Sequence, residues 1–482
     1  MRWLLSLLAL ALLVGGGAYY AAGRGAPPQL SIDKPDRAVG QTGALEVTVA
    51  APRGQLSDLT ITLEQNGRST RLFTLGEPQS ATVTRPDADH LRVSRPFGKQ
   101  SLPELQSGAA RVVVTAARPS FLGLRTLSST ASREVKVRLE PPRIAVLSTH
   151  HYVNHGGSEL VVYRATPPDV ESGVRVGDVE YRGYPASGAG AAGADPSVKA
   201  AFFALLYNQP LDAPIVVFAR DEAGNEARAT FVDRVFEKPF RRSRIELDDA
   251  FLNRVVPEIL QQSPELQAPP AAEGDMLPAF LKINGELRRL NADAIALVAK
   301  RTSPARLWHE PFVQLGNSQV EAAFADHRTY FYRGKEVDQQ DHLGFDLAVT
   351  ARVPVVAAND GTILHAGWLG IYGNCIILDH GMGVQSLYGH LSSFEVKPGD
   401  RVTRGQIIGR SGMTGLAGGD HLHFTMLVGG HPVNPVEWWD AHWIQDRVER
   451  KIAELRAPDA APAPTAAPAA ERPARRGGAR RR

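Results

Sequence analysis

Apolar and polar positions alternate with a period of two over several short runs in the first third of the chain. Residues 45–49 and 59–63 put an apolar side chain at every second position, and 111–115 and 134–139 read the same way. That period belongs to strands with one buried face. Gly, Pro and the Asn66-Gly67 pair punctuate the runs. Short strands punctuated in this way predict an antiparallel β-sandwich over residues 28–140. A second set of apolar runs, 160–163, 215–218 and 229–232, with a turn at 221–225, predicts another sandwich over 141–238.

The period changes near residue 243. Leu277, Phe280, Leu281, Asn284 and Leu287 fall at three- and four-residue steps, a helical face interrupted by one Asn. Pro257, Pro264, Pro269 and Pro270 divide the stretch. Residues 243–302 are therefore expected to form a helical connector, with a partner-binding or autoinhibitory element as the functional alternative. Residues 303–445 return to Gly-punctuated strands, and the charged stretch 446–456 is a candidate for one more helix. Residues 457–482 are Ala/Pro-rich and then Arg-rich, with too little apolar surface to fold. They read as a disordered extension or as a tether to anionic envelope polymers or lipid head groups.

At the other end, Arg2 and Arg24 bracket an uncharged stretch from Trp3 to Ala22. As a helix it is roughly 30 Å long, the thickness of a bilayer core. Two readings stand: a signal peptide with its apolar core at 3–14 and small residues near Ala21 and Gly23, or a retained anchor with Tyr19 and Tyr20 at the interface. Either exports the chain beyond residue 24.

Composition narrows the classes. A chain of 482 residues with 43% hydrophobic content has room for about three folded domains. The single cysteine, Cys375, excludes an internal disulfide framework and a Cys-rich zinc site, and its apolar surroundings make it a core residue. The formal charge of +3 is concentrated in the tail. Six Arg against Asp459 and Glu471 give 457–482 a net +4, so the rest is 3 − 4 = −1. Nothing basic enough to bind nucleic acid remains in the folded part.

The chemistry gathers in the C-terminal β region. His421 and His423 are two apart, so in a strand they share a face and Leu422 takes the other. His342 and Asp346 are four apart, again an even offset, with Gly344 between them offering no side chain to block a metal. With His390 the set holds five groups, two more than a three-ligand zinc with an open position requires. His342 to Asp346, Tyr388 to Leu391 and His421 to Phe424 resemble the three signature elements of the LytM/lysostaphin-type (M23) zinc metallopeptidases. The resemblance covers roughly residues 321–443 and includes Gly361–Gly367, Gly373, Asn374, Pro398–Asp400 and Val433–Pro435.

It implies a Gly-rich antiparallel β metallopeptidase domain over 303–445, in a mainly β, multidomain chain. It further implies one Zn²⁺ per catalytic domain held by His342, Asp346 and His423, with His390 and His421 as catalytic residues at the open position. The activity implied is hydrolysis of peptide cross-links in bacterial peptidoglycan, with stem peptides as partners and the periplasmic side of the envelope as location, anchored in the inner membrane by residues 3–22. The alternative is a non-catalytic envelope scaffold or an activator of another wall hydrolase. The turn at 221–225 similarly resembles that of bacterial Ig-like modules.

Other candidates fall away. His309 and Glu310 begin a zincin-like motif, but Val313 stands where its second His belongs. His150, His151 and His155 have no carboxylate close in sequence to complete a site. Trp438, Trp439 and Trp443 read as a packing clasp before a glycan platform. Gly373, Asn374 and the 413–419 loop are expected to shape the groove. Gly418, Gly419 and Asp420 depart from the Ser/Thr-Gly-Pro type of sequence expected before the paired histidines.

Overall fold

The structure, a computed structural model, describes residues 2–23, 25–52, 55–77, 81–120, 123–266 and 275–455. The 457–482 tail, Pro269 and Pro270 lie outside the described residues. Arg2–Ala22 is one helix, with Leu7, Leu8, Leu10, Leu12, Leu13 and Val14 exposed. Among the described residues no helix is long and apolar enough to cross a membrane, so an inner-membrane anchor is not shown by the structure.

Alternation becomes burial in the first β unit. Ala44–Ala50 and Asp58–Gln65 bury Leu45, Val47, Val49, Leu59 and Ile61 completely while their neighbours face outward. The two sheets run Gln29–Lys34, Ala44–Ala50, His90–Pro96, Thr82–Thr84 and Ala38–Val39, Arg125–Val137, Gly108–Ser120, Asp58–Gln65, Arg68–Thr74. Asn66 and Gly67 take φ of 52° and 75° between paired Gln65 and Arg68. That is the left-handed two-residue hairpin an Asn-Gly pair favours. The second unit has two four-stranded sheets built on Ser158–Thr166 with Val198–Ala204, and on Glu171–Val176 with Ile215–Arg220. Asp221 Oδ1 accepts from the amides of Ala223 and Asn225, closing the turn expected there.

The helical stretch differs from expectation in two ways. Arg242–Leu247 is a strand, not a helix, and pairs in parallel with Asp326–Tyr332. Its Arg-Ser-Arg-Ile-Glu-Leu sequence has period two in burial, which explains the choice. Asp249–Gln262 runs through Pro257 without ending, because Leu252, Val255, Val256 and Ile259 remain on one buried face. It is capped by Asp248, whose carboxylate accepts from the Phe251 amide at 2.7 Å. Leu277–Lys282, a π-turn at Ile283–Leu287 and Arg288–Ala299 form one continuous helical rod. Asn284, the polar interruption, is fully buried, donates to Asp338 at 2.8 Å and accepts from Arg288 Nε at 2.9 Å.

An antiparallel sheet carries the candidate chemistry. Its strands run in the order Gln319–Ala322, Phe345–Ala348, His421–Val428, Val384–Gly389, Asn374–Gly381, Gly361–Trp368, Arg401–Val402, with His431–Val433 added to His421–Val428. Cys375 is fully buried in it. The second β unit and this sheet share a continuous apolar core. Trp438 is completely buried against Trp308, Phe202 and Phe312, with ring centroids 5.5–5.7 Å away. Trp439 stacks on Phe424 at 5.6 Å and Trp443 lies 5.3 Å from Trp438. The tryptophans are a packing clasp, and they clasp two units together.

The charged stretch after Trp443 is helical through Glu454 and seats Lys451 against Glu159 at 2.8 Å. His151 is buried against Ser148 Oγ at 2.8 Å, and His155 meets the Gln209 carbonyl. Both histidines are structural.

Candidate active site

Strand register brings the site together. Asp346 on Phe345–Ala348 lies directly opposite His423 on His421–Val428, and Gly389 lies opposite His423 on the other side. His342 ends the strand Lys335–His342, and His390 follows Gly389. Leu422 is buried on the far face, as period two requires. All five predicted site residues therefore converge, each no more than 9% exposed. Gly344 is a steric requirement: a Cβ there would stand 2.6 Å from both His423 Nε2 and Thr425 Oγ1.

Three donor atoms form a tight triangle. His342 Nε2 to Asp346 Oδ1 is 2.9 Å, His423 Nδ1 to Asp346 Oδ1 is 2.9 Å, and His342 Nε2 to His423 Nδ1 is 3.1 Å. The surrounding hydrogen bonds set what those atoms carry. His342 Nδ1 donates to the Ala323 carbonyl at 3.1 Å, so its Nε2 is bare when the ring is neutral. Thr425 Oγ1 donates to the Leu343 carbonyl at 2.8 Å and so accepts from His423 Nε2 at 3.0 Å, leaving Nδ1 bare. Arg328 donates to Asp346 Oδ2 at 3.0 Å, which leaves Oδ1 for the site. Three lone pairs thus face one another without a proton between them, an arrangement that calls for a cation. Ligands around a tetrahedral zinc at roughly 2.0–2.2 Å stand roughly 3.3–3.5 Å apart, so a slight spreading of this triangle admits the ion. Two imidazole nitrogens and one carboxylate oxygen suit zinc better than calcium or magnesium, which prefer more oxygens.

His390 and His421 stand beside the triangle with ring centroids 4.8 Å apart. His390 Nδ1 donates to the Thr414 carbonyl and His421 Nδ1 to the Gly419 carbonyl, both at 2.8 Å, so each has its Nε2 free. His421 Nε2 is 3.4 Å from Asp346 Oδ1. His390 holds a left-handed backbone, φ 63°, that a non-glycine residue adopts at a cost. Its amide is fixed by the Tyr372 carbonyl at 2.7 Å.

Burial pulls the imidazole of His423 down to about 4, and burial with neighbouring histidines pulls His390 well below its ordinary value. Both are neutral at pH 7. Burial works against His421, but the adjacent Asp346 carboxylate outweighs it and raises the ring's basicity. Burial would raise the Asp346 carboxyl, but the surrounding imidazoles of His342, His421 and His423 hold it well below the carboxylate range.

The five residues sit in a cleft of about 400 Å³ that is also lined by Tyr207, Arg288, Arg289, Arg328, Tyr372 and Leu416. Leu416 and Gly418 bring the expected loop to the groove. Asn374, next to Gly373, braces it from behind: its side-chain amide donates to the Leu391 carbonyl and its backbone amide donates to Thr414 Oγ1. Asp420 is tied to Ser411 Oγ at 2.6 Å and the Arg352 amide at 3.2 Å, which holds the entry to the His421 strand. Thr425 and Arg328 are not among the residues that sequence reasoning singles out. Thr425 shares a strand face with His421 and His423, so the period-two rule could have found it. Arg328 has no local signal, since only tertiary folding brings it to Asp346.

The sequence profile described as Peptidase family M23 matches residues 340–435, which contain all five residues. The DD-carboxypeptidase/endopeptidase Mpg of Neisseria meningitidis serogroup B is 44% identical over 95 residues, 20% of this chain and 22% of the relative. The peptidoglycan DD-endopeptidase ShyA of Vibrio cholerae serotype O1 is 40% identical over 96 residues, again 20% of this chain and 22% of the relative. The matched stretch thus spans about a fifth of these curated relatives. A solved structure of a zinc containing peptidase from Vibrio cholerae is 15% identical, covers 69% of this chain and 86% of its own, and gives a TM-score of 0.27.

Proposed function

We propose that this chain, whose residues 340–435 form a peptidase family M23 domain, is a zinc-dependent endopeptidase that hydrolyses peptide cross-links of bacterial peptidoglycan. The observation that carries the proposal is the triangle of bare donor atoms from His342, Asp346 and His423. The substrate class is suggested by the activities of the two relatives above. In this reading His342, Asp346 and His423 hold one zinc ion per catalytic domain. The chemistry a bound zinc supplies is polarisation of the scissile carbonyl and a water that is nucleophilic near neutral pH.

The chain's own side chains do the rest. Arg328 and Thr425 fix the ligand atoms and their protonation. His390 and His421, with Nε2 free, orient water, accept its proton and return one to the leaving amine. Protonated, either ring stabilises the oxyanion of the tetrahedral intermediate.

The same proposal places the protein at the periplasmic side of the envelope, with residues 3–22 as export or inner-membrane anchoring element. The exposed leucines along Arg2–Ala22 suit an export segment. The two sandwiches are read as Ig-like spacers, the 243–302 segment as a connector that also walls the cleft, 303–445 as the peptidase domain, and the 457–482 tail as a tether to anionic polymers. The test is release of new amino termini from purified peptidoglycan by the full chain in detergent. Release that a chelator stops and zinc restores is expected. Stimulation of a separate wall hydrolase without intrinsic cleavage would replace the enzyme by an activator.

A further inference from the structure

The cleft contains positive charge that the metal site does not use. Arg328 is spent on Asp346 and Asp326, at 3.0 and 3.6 Å. Asp341, also in the lining, is engaged by His327 Nδ1 at 2.8 Å. Arg288 and Arg289 remain. Among the described residues no carboxylate lies within ion-pair distance of either, although both line the cleft. Arg288 is half-buried, and its Nε is fixed by Asn284 Oδ1, which holds the guanidinium fork in one place. Arg288 lines the cleft together with Tyr207 and Tyr372. Tyr372 in turn lies 5.4 Å, ring to ring, from His423. Arg288 and the metal-ligand set therefore line one cleft.

The helix that carries both arginines is held rigidly, although it comes from outside the catalytic sheet, and Arg289 on it is exposed. Asn291 Oδ1 accepts from the Ile371 amide at 3.0 Å. Phe280, Ile283 and Leu287 share a buried core with Tyr330 and Ile371. A Cβ on Gly370 would stand 2.4 Å from Asn291, so the contact is close along the backbone. A planar, always-charged guanidinium fixed beside a reaction centre and lacking an acidic partner is built to meet a carboxylate in two-pronged fashion.

We infer that Arg288 and Arg289 form a subsite for a free carboxylate on the peptide, close to the bond that is cut. This rests on the peptidase reading of the site and gives it a substrate class: anionic cross-linked peptides, not uncharged glycine bridges, which offer the arginines nothing to bind. The helical segment is then part of the specificity machinery and not a plain connector.

The test uses the zinc-loaded full chain and two synthetic peptide dimers. They are identical except that the residue beside the scissile bond has a free carboxylate in one and a primary carboxamide in the other. The carboxylate dimer should give a kcat/KM about tenfold or more higher, the discrimination of one charge-assisted hydrogen-bond pair. Raising the salt concentration should narrow the gap. Arg288→Gln should bring the two dimers within about twofold of each other, with zinc content unchanged. Arg289→Gln, which loses no internal hydrogen bond, should reduce the preference and guards against a folding defect in the first variant. Equal cleavage of both dimers by the wild type overturns this inference and leaves the peptidase reading intact. So does a preference that survives in the double variant. Absence of cleavage of either dimer removes the peptidase reading and the subsite with it.

Discussion

Thr425→Val should weaken zinc binding without touching a ligand. Thr425 is 1% exposed and its hydroxyl does two things: it accepts from His423 Nε2 at 3.0 Å and donates to the Leu343 carbonyl at 2.8 Å. Together these keep the His423 proton on Nε2 and leave Nδ1 bare for the metal. Valine has the same shape and no hydroxyl, so the imidazole loses its orienting acceptor and the Leu343 carbonyl its donor. Losing an outer partner of a metal-bound histidine typically costs about 10–100-fold in affinity. A half-buried carbonyl left without its donor adds about 1 kcal/mol of lost stability. The assay is competition for zinc against a fluorescent chelator, with thermal melting of the metal-free protein alongside. Thr425→Ser keeps the hydroxyl and should retain most of the affinity. Wild-type affinity in Thr425→Val would refute the tautomer argument. Serine weakening zinc as much as valine would refute it too, because packing and not the hydrogen bond would then be responsible.

Gly344→Ala should lower zinc affinity by about tenfold or more, because its Cβ would press on His423 Nε2 and Thr425 Oγ1 from 2.6 Å; unchanged affinity in the same competition assay would count against it. Glu437 is buried where it accepts from Asn154 Nδ2 at 2.7 Å and the Ser158 amide at 2.6 Å, and burial pushes its carboxyl up to about 7. A raised folded-state value means this group's stabilisation is complete below about pH 4.5 and is lost as pH rises through 7. Chemical unfolding of the wild type should therefore show a loss of about 3 kcal/mol across that window that Glu437→Gln lacks, and parallel pH profiles would contradict it. A fragment beginning at Ser303 should melt well below the full chain, since it uncovers Trp308 and Trp438, each fully buried, at roughly 1.5–3 kcal/mol per large apolar side chain. Equal melting temperatures would show that the shared core adds nothing.

The local parts of this structure were legible from residue spacing. Period two located the strands that bury Val47 and Ile61, and it put His421 and His423 on one face, where the register sets His423 opposite Asp346. What spacing could not supply was contact between distant segments. The core joining the second β unit to the catalytic sheet depends on Phe202, Trp308 and Trp438, which are more than a hundred residues apart in sequence. Each alone looks like an ordinary core aromatic. Arg328 reaches Asp346 only because Asp326–Tyr332 pairs with the strand that ends at His342. The strand Arg242–Leu247 was readable from its own alternation, but the helical periodicity further along obscured it. Asp420, a departure in sequence from the expected motif, proved to be a brace for the His421 strand through Ser411. Its role followed from its partner, which sequence could not name.

The most direct test of the central claim measures zinc content and new amino termini released from peptidoglycan, in parallel, for the full chain and two variants. His423→Ala removes a proposed ligand and should lose both zinc and hydrolysis. His390→Ala removes a group beside the donor triangle and should lose hydrolysis while keeping one zinc per chain. Full hydrolysis in either variant, or zinc retained at wild-type stoichiometry in His423→Ala, would contradict the account.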